Sequence, residues 1–203
     1  MKSFLFIILL AVFASEPPKD FEQANADFIR DLQEYYTKVS TIQAEFHQQK
    51  VSALFTETLV SRGLFLYSRP DKVRWEQKSP TPNYFILNGN TFIQFDGKEV
   101  SKSANGNAQS AMIKKFILGT IDGSLLQDKS FTKTLKDEGA SMLVQLVPND
   151  KRMKKRVQLI SLQFNKKSKL LQQLKIVESE IEYTQITFTK QLVNKPIATE
   201  KFN

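Results

Sequence analysis

The chain contains no cysteine. That excludes disulfides, thiolate metal sites, a cysteine nucleophile and the acylated cysteine by which a lipoprotein is anchored behind its signal. Histidine occurs once, as His47, in a run that reads as a strand and with no second base or ligand near it. Its plain reading is an exposed or hydrogen-bonded imidazole. A serine or cysteine mechanism therefore has almost no base to draw on, and no Gly-rich phosphate loop, HExxH or paired His motif occurs. Glu178, Glu180 and Glu182 read as sharing one face of a strand, but a solvated one, which argues against a glycosidase-type carboxylate pair. Binding, rather than catalysis, is what these absences leave.

Long apolar runs are scarce as well. The one that stands out is Phe4 to Phe13, behind Lys2 and followed by small residues around Ala14. It has the charged, apolar and cleavage parts of a secretory signal peptide, and it is too short for a comfortable membrane span. The expected organisation is a signal over 1–14 and one mature domain over 15–203, with Pro17-Pro18 as a tether; an uncleaved anchor is the alternative. At 203 residues the chain is long enough to bury a substantial core. Its formal charge of +8 becomes +7 once Lys2 leaves with the signal. Export sets nucleic acid aside as a partner for that charge and leaves anionic headgroups or an acidic protein face. Sixteen phenylalanines against a single tryptophan promise much apolar surface and little titratable equipment.

Taken in order, the spacing of Phe21, Ala24, Phe28, Leu32, Tyr35 and Val39 predicts an amphipathic helix from an Asp20 N-cap to about Lys38. Thr41 to Val51 reads as a strand, Phe55 to Val60 as a connection, and Gly63 to Ser68 as a second strand. Arg69-Pro70-Asp71 is a turn. Lys72 to Gln77 then alternates, with Val73 and Trp75 on one face and Lys72, Arg74 and Glu76 on a wet one. Asn88-Gly89 and Asp96-Gly97 mark tight hairpins within a meander over residues 83–101. Tyr84 to Leu87 is apolar on both faces, so that part of the sheet must be covered twice. After a break at Asn105-Gly106-Asn107, Ala108 to Gly119 has helical spacing, with Gly119 as its C′ residue. Five more strand-like runs follow: 131–137, 140–147, 157–164, 170–177 and 180–189. About ten short antiparallel strands should curl. Lys151-Arg152-Met153-Lys154-Lys155-Arg156 puts five basic residues at a hairpin tip, read either as a solvated turn or as a docking patch. In the tail, Phe202 is the residue able to pack.

Gly63, Arg69, Pro70, Trp75, Pro80 and Gly89, in this order, resemble the core pattern of the LolA family, periplasmic carriers of outer-membrane lipoproteins. The resemblance is carried by residues 46–95 and extends to the remainder only in element order. It implies an α+β fold: a strongly curved antiparallel sheet of ten or eleven strands, an unclosed β-barrel, covered by the N-terminal helix and by short lid helices. It also implies a hydrophobic cavity for acyl chains, no enzyme activity and no cofactor. The candidate cavity residues are Phe28, Phe65, Tyr67, Val73, Trp75, Phe85, Leu87, Phe92, Met112 and Phe116. Val73 departs from the bulkier residue usual in the family. Arg69 is expected to hydrogen-bond the lid, so that Arg69→Leu would shift the lid while leaving the fold intact. Lys151, Arg152, Lys154, Lys155 and Arg156 would dock a partner. The implied partners are acylated lipoproteins, an inner-membrane lipoprotein-releasing ABC transporter and an outer-membrane lipoprotein receptor, with the carrier a monomer; a LolA-like carrier or sensor for another amphiphile, such as a glycolipid, a pigment or an envelope-stress ligand, is the alternative. A triacylated cargo carries about 45 methylenes, which at about 0.8 kcal/mol each comes to on the order of 35 kcal/mol against unaided transit through water.

Overall fold

A computed structural model describes residues 19–54, 56–104, 108–121 and 123–203, with only the backbone described at 19–22, 108–110 and 112. The expected signal peptide and Pro17-Pro18 tether, Phe55, the break at 105–107 and the side chain of Met112 lie outside the described residues. The elements are α1 (Lys19–Thr37), β1 (Thr41–Val51), β2 (Leu59–Ser68), β3 (Lys72–Ser79), β4 (Asn83–Asn88), β5 (Thr91–Phe95), β6 (Val100–Ala104), α2 (Ala108–Ile121), β7 (Phe131–Glu138), β8 (Ser141–Pro148), α3 (Lys151–Lys154), β9 (Leu159–Asn165), β10 (Leu171–Val177) and β11 (Tyr183–Val193), with 3-10 turns at Ser124–Gln127 and Thr199–Phe202. The strands form one eleven-stranded sheet in the order β6-β5-β4-β3-β2-β1-β11-β10-β9-β8-β7. Each neighbouring pair is antiparallel. Every link is a local hairpin except β1 to β11, where Phe46 faces Phe188 and Gln48 faces Ile186. β6 and β7 are left as the two edges of an unclosed barrel, and α2 lies in the segment that connects them.

Period-two alternation sorts the sheet into two faces. Phe65 pairs Trp75 and Tyr67 pairs Val73 across β2 and β3, while Trp75 pairs Phe85 and Val73 pairs Leu87 across β3 and β4. These residues point inward, into a main core shared with Phe28, Leu32, Tyr36, Phe46, Leu146, Leu162 and Phe164. The intervening residues Leu66, Ile86 and Ile93 point outward, where they form a second, smaller cluster with Phe202, itself 1% exposed. Phe85 and Leu87 are therefore the inward pair of β4. The outer face of β3, expected to be wet, is partly covered: the Arg74 guanidinium bonds Glu76 at 2.7 Å, lies 4.3 Å from the centroid of the Tyr84 ring, and donates to the Lys201 carbonyl at 3.2 Å. Asn88 donates to the Phe202 carbonyl at 3.2 Å. A basic residue beside a turn carries no sign in sequence that a distant tail will fold back onto it.

Four further expectations are corrected. α1 begins at Lys19, so Asp20 sits within its first turn, and the helix buries Tyr36 rather than Tyr35. α2 runs past Gly119 to Ile121, and the left-handed residue is Gly123 at φ 74°, which leads into the 3-10 turn. Glu178, Glu180 and Glu182 lie in the turn before β11, not on a strand face. Glu182 accepts from the Ala53 N–H at 3.1 Å and the Ser52 hydroxyl at 2.9 Å, bonds that hold its carboxyl below the ordinary value. The basic run, expected at a hairpin tip, forms the short helix α3 behind an Asp150 N-cap that accepts from Arg152 and Met153 N–H, both at 2.9 Å.

Gly63 holds the inner face together by lacking a side chain. The Phe46 ring on β1 crosses over it to stack on Trp75 of β3, with ring centroids 4.1 Å apart. A Cβ at Gly63 would stand 1.9 Å from the Glu76 carbonyl oxygen and 2.6 Å from the Phe46 ring. Gly63→Ala must therefore displace both the β3 backbone and the stack, and it should destabilise the protein by about 3 kcal/mol, at the upper end of overpacking costs. Urea unfolding followed by far-UV circular dichroism measures this, with Gly139→Ala as the comparison: nothing lies within 4 Å there, so its cost of about 1–2 kcal/mol comes from the left-handed φ of 72° alone.

Candidate functional site

Inside the curve of the sheet lies a cavity of about 460 Å³. The sheet supplies Trp75, Phe85, Ile160, Leu174, Ile176 and Ile186, and α2 supplies Ile113, Phe116 and Ile117 from the other side. Met153 of α3 and Val157 close one flank, with Phe131 and Leu125 beside them. A smaller cavity of about 70 Å³ lies toward Tyr36 and Phe65 and shares Trp75, Phe116, Ile117 and Leu174 with the larger one. Trp75 belongs to a ladder of stacked rings that runs Phe46, Trp75, Phe85, Phe92, with spacings of 4.1, 6.5 and 5.9 Å. This is a hydrocarbon wall with a few polar groups at its margin, the makeup of a site for apolar ligands. Among the described residues no group of three or more His, Asp or Glu stands close enough together to hold a metal ion.

The two helices cover the sheet by different means. α1 is packed down: Phe28, Leu32 and Tyr36 are buried, as is Val39 just beyond its end, and Phe28 meets Phe164 edge-on at 6.3 Å. α2 turns Phe116, Ile117 and Leu118 toward the sheet only partly buried, and two adjacent lysines hold it from opposite sides. The Lys114 ammonium bonds Asp71 at 3.0 Å and the Gly89 carbonyl at 2.7 Å, reaching the β2–β3 and β4–β5 turns. Lys115 pairs with Asp128 at 2.8 Å, beyond the following 3-10 turn. Lys115 and the Ser130 hydroxyl and N–H hold the Asp128 carboxyl far below the ordinary carboxylate range. A carboxyl with a depressed folded value contributes stability above its unfolded value, near pH 4, and loses it only as the pH falls through the folded one. This tie therefore stays intact across the neutral and mildly acidic range.

Arg69 is the main correction. Its Nε donates to the Val39 carbonyl at 2.9 Å and its Nη2 to the Tyr36 carbonyl at 2.5 Å, while its backbone N–H donates to the Ser40 carbonyl at 2.8 Å. It caps the C-terminal end of α1, where unpaired carbonyls and the helix dipole favour a cation. The polar tie to α2, the helix expected to be a lid, is made instead by Lys114, which the sequence did not single out. Of the other expected cavity residues, Trp75, Phe85 and Phe116 line the large cavity and Phe65 the small one. Phe92 backs the wall by stacking on Phe85. Phe28, Tyr67, Val73 and Leu87 are buried in the packed core and line neither space. The sequence reading missed the wall built by β9, β10 and β11. A signal was present in the alternation of Ile160, Leu162 and Phe164, and in Met153 as the lone apolar residue among five cations. None of the five basic residues of that run lines the cavity, although Met153 does.

Two substitutions separate the helices. Arg69→Leu leaves the Tyr36 and Val39 carbonyls without their charged donor, so it should cost about 1–3 kcal/mol in urea unfolding, an effect on the fold rather than on the lid alone. Lys114→Met removes a partly exposed tie, both of whose side chains are 29% exposed, and should leave the global midpoint within about 0.5 kcal/mol. Amide hydrogen exchange over residues 113–121 should nevertheless quicken, because local opening of α2 no longer breaks that link.

Comparison with known proteins agrees with this arrangement. The family described as outer membrane lipoprotein carrier protein LolA matches residues 37–203, which include every strand of the sheet. An outer-membrane lipoprotein carrier protein of Coxiella burnetii is 28% identical over 182 residues, covering 88% of this chain and 83% of the relative. Among solved structures, the Mycobacterium tuberculosis lipoprotein LppX superposes with a TM-score of 0.54 at 11% identity, covering 87% of this chain and 98% of its own. The Pseudomonas aeruginosa MucA/MucB complex gives 0.53 at 13% identity, covering 89% of this chain and 60% of the other. At such identities these structures share the fold alone, whereas the family match spans most of the sequence: the chain belongs to the LolA family.

Proposed function

We propose that this protein carries lipoproteins by their acyl chains across the periplasm, taking them from an inner-membrane ABC transporter and giving them to an outer-membrane receptor. The observation that carries the reading is an apolar cavity of about 460 Å³, walled by a rigid sheet on one side and, on the other, by a helix tied down through two lysines. Such a site exchanges water for hydrocarbon at about 25 cal/mol per Å² and needs no bond-making group to do it. Membership of a carrier family and the lipoprotein carrier of Coxiella burnetii support the same assignment. A triacylated cargo is larger than an ordinary ligand, so loading widens the space by moving the element held least firmly, which is α2. The stacked ladder of Phe46, Trp75, Phe85 and Phe92 stays in place as the fixed wall. In this reading the protein functions as a monomer, each copy holding one cargo.

The single tryptophan of the chain lines both cavities, so it reports directly on their contents. Acylated peptide carrying bromine along its chains should quench Trp75 fluorescence in saturable fashion, and Phe116→Ala should weaken binding about tenfold by removing one wall of the site. Absence of quenching by acylated peptide with delipidated protein would sink the proposal. Mass spectrometry of material copurifying with the exported protein distinguishes a lipoprotein cargo from another amphiphile.

A further inference from the structure

One end of the sheet carries features that the cavity itself does not explain. The chain leaving α3 enters β9 beside the end of β10, where the Gln158 N–H donates to the Val177 carbonyl at 2.7 Å. The β10–β11 turn is tied to the β1–β2 loop through Glu182, which accepts from Ser52 at 2.9 Å and Ala53 at 3.1 Å. These segments form one rim, and the large cavity reaches it at Gln48, Thr184, Met153 and Val157. On the rim Lys151, Arg152, Lys154, Lys155 and Arg156 are all exposed, and among the described residues none of them makes an ion pair. The same rim projects Leu54, 86% exposed, and Ile181, 64% exposed, the two most exposed large apolar side chains among the described residues.

We infer that this rim docks directly on an anionic bilayer surface, with the five cations against lipid phosphates and with Leu54 and Ile181 entering the headgroup region. A solvated turn accounts for the charges but leaves two large apolar side chains in water at loop tips. An acidic protein face accounts for the cations alone. An anionic bilayer takes both, because basic residues are drawn to its negative surface potential while aliphatic side chains gain from the layer beneath. Glu178 and Glu180 of the neighbouring turn, Glu182 bonded to Ser52 and Ala53, Glu57 of the β1–β2 loop and the Asp150 N-cap offset charge across the rim as a whole, and the five cations are concentrated in one run of six residues around Met153. The arrangement sets the cavity mouth toward the membrane, so that a hydrocarbon chain passing between the two crosses little water. The inference concerns the surface of the empty protein, so its failure would leave the carrier reading standing.

Flotation of the exported, processed protein with vesicles tests it, comparing a phosphatidylcholine and phosphatidylglycerol mixture with phosphatidylcholine alone. Binding should be confined to the anionic vesicles and fall as salt is raised. Arg152→Glu, Lys154→Glu and Lys155→Glu together should lower it about tenfold or more, since each cation acts near the surface. Leu54→Ser with Ile181→Ser should also weaken it while unfolding at the same temperature as the parent. Because the chain has no native cysteine, Leu54→Cys or Ile181→Cys accepts a single environment-sensitive label, whose emission should shift to the blue on the anionic vesicles. Equal binding to neutral vesicles, binding unchanged by charge reversal, or a label that stays in water would each overturn the inference. So would parent protein that ignores vesicles while the charge-reversed variant fails to deliver cargo, which would assign the rim to an acidic protein.

Discussion

An apolar concave sheet gains about 25 cal/mol for each square ångström it removes from water, yet a sheet that must accept a guest cannot be filled by its own side chains. The structure answers these opposed demands by dividing the concave face. Under α1 the core is closed, with Leu32, Val144, Leu162 and Phe164 without measurable exposure. Under α2 it is covered but not filled, and the remaining space is bounded by Trp75, Phe116 and the inward residues of β9, β10 and β11. The helices are held accordingly. α1 is fixed by burial and by the Arg69 guanidinium on carbonyls at its C-terminal end, whereas α2, in its described residues, buries only its end, with Thr120 and Ile121, and is otherwise largely half-buried and held by ammonium–carboxylate contacts near the surface. Exposed pairs of that kind contribute about 0–1 kcal/mol each. They suit the movable cover that the proposed carrier role requires.

The wall opposite α2 owes its stiffness to aromatic packing across the strands. Gly63 allows the Phe46 ring to cross β2, and Trp75 then passes the stack on to Phe85 and Phe92. Phe65 and Phe188 meet Trp75 edge-on at 5.9 and 6.2 Å, so the ring is held on several sides. Behind it, the C-terminal 3-10 turn presses Phe202 against Leu66, Ile86 and Ile93 on the outer face. The half of the sheet from β2 to β5 is thus packed on both sides, which suits it to be the fixed surface in the proposed carrier role.

Much of this was legible in the residues. Gly63, the Arg69-Pro70-Asp71 turn, the alternation through Trp75 and the Asn88-Gly89 and Asp96-Gly97 hairpins depend on local backbone preferences, and the structure has each element where those preferences place it. The N-terminal helix followed from its 3.6-residue spacing. What escaped was set by partners distant in the chain. The side-chain acceptors of Arg69, Tyr36 at the end of α1 and Val39 just beyond it, lie 33 and 30 residues upstream. Lys114 finds Asp71 in the β2–β3 turn, and Glu182 finds Ser52 across the rim. A lysine in a helix and a glutamate in a turn have no local pattern that reveals a tertiary partner. The β9 to β11 wall was hidden for another reason: its alternation is as regular as that of the opposite half, but only the closure of β1 onto β11 turns its apolar face inward toward the same space.

The double tethering of α2 has a thermodynamic corollary. Whatever occupies the space beneath that helix and whatever grips its outer surface act on one equilibrium, and linkage makes their effects mutual. In the proposed carrier role, an acceptor that favoured a displaced helix by some factor would loosen the hold on the contents by that same factor, and contents that forced the helix aside would strengthen attraction to the acceptor equally. Handover would then run downhill on the difference in affinity between two containers.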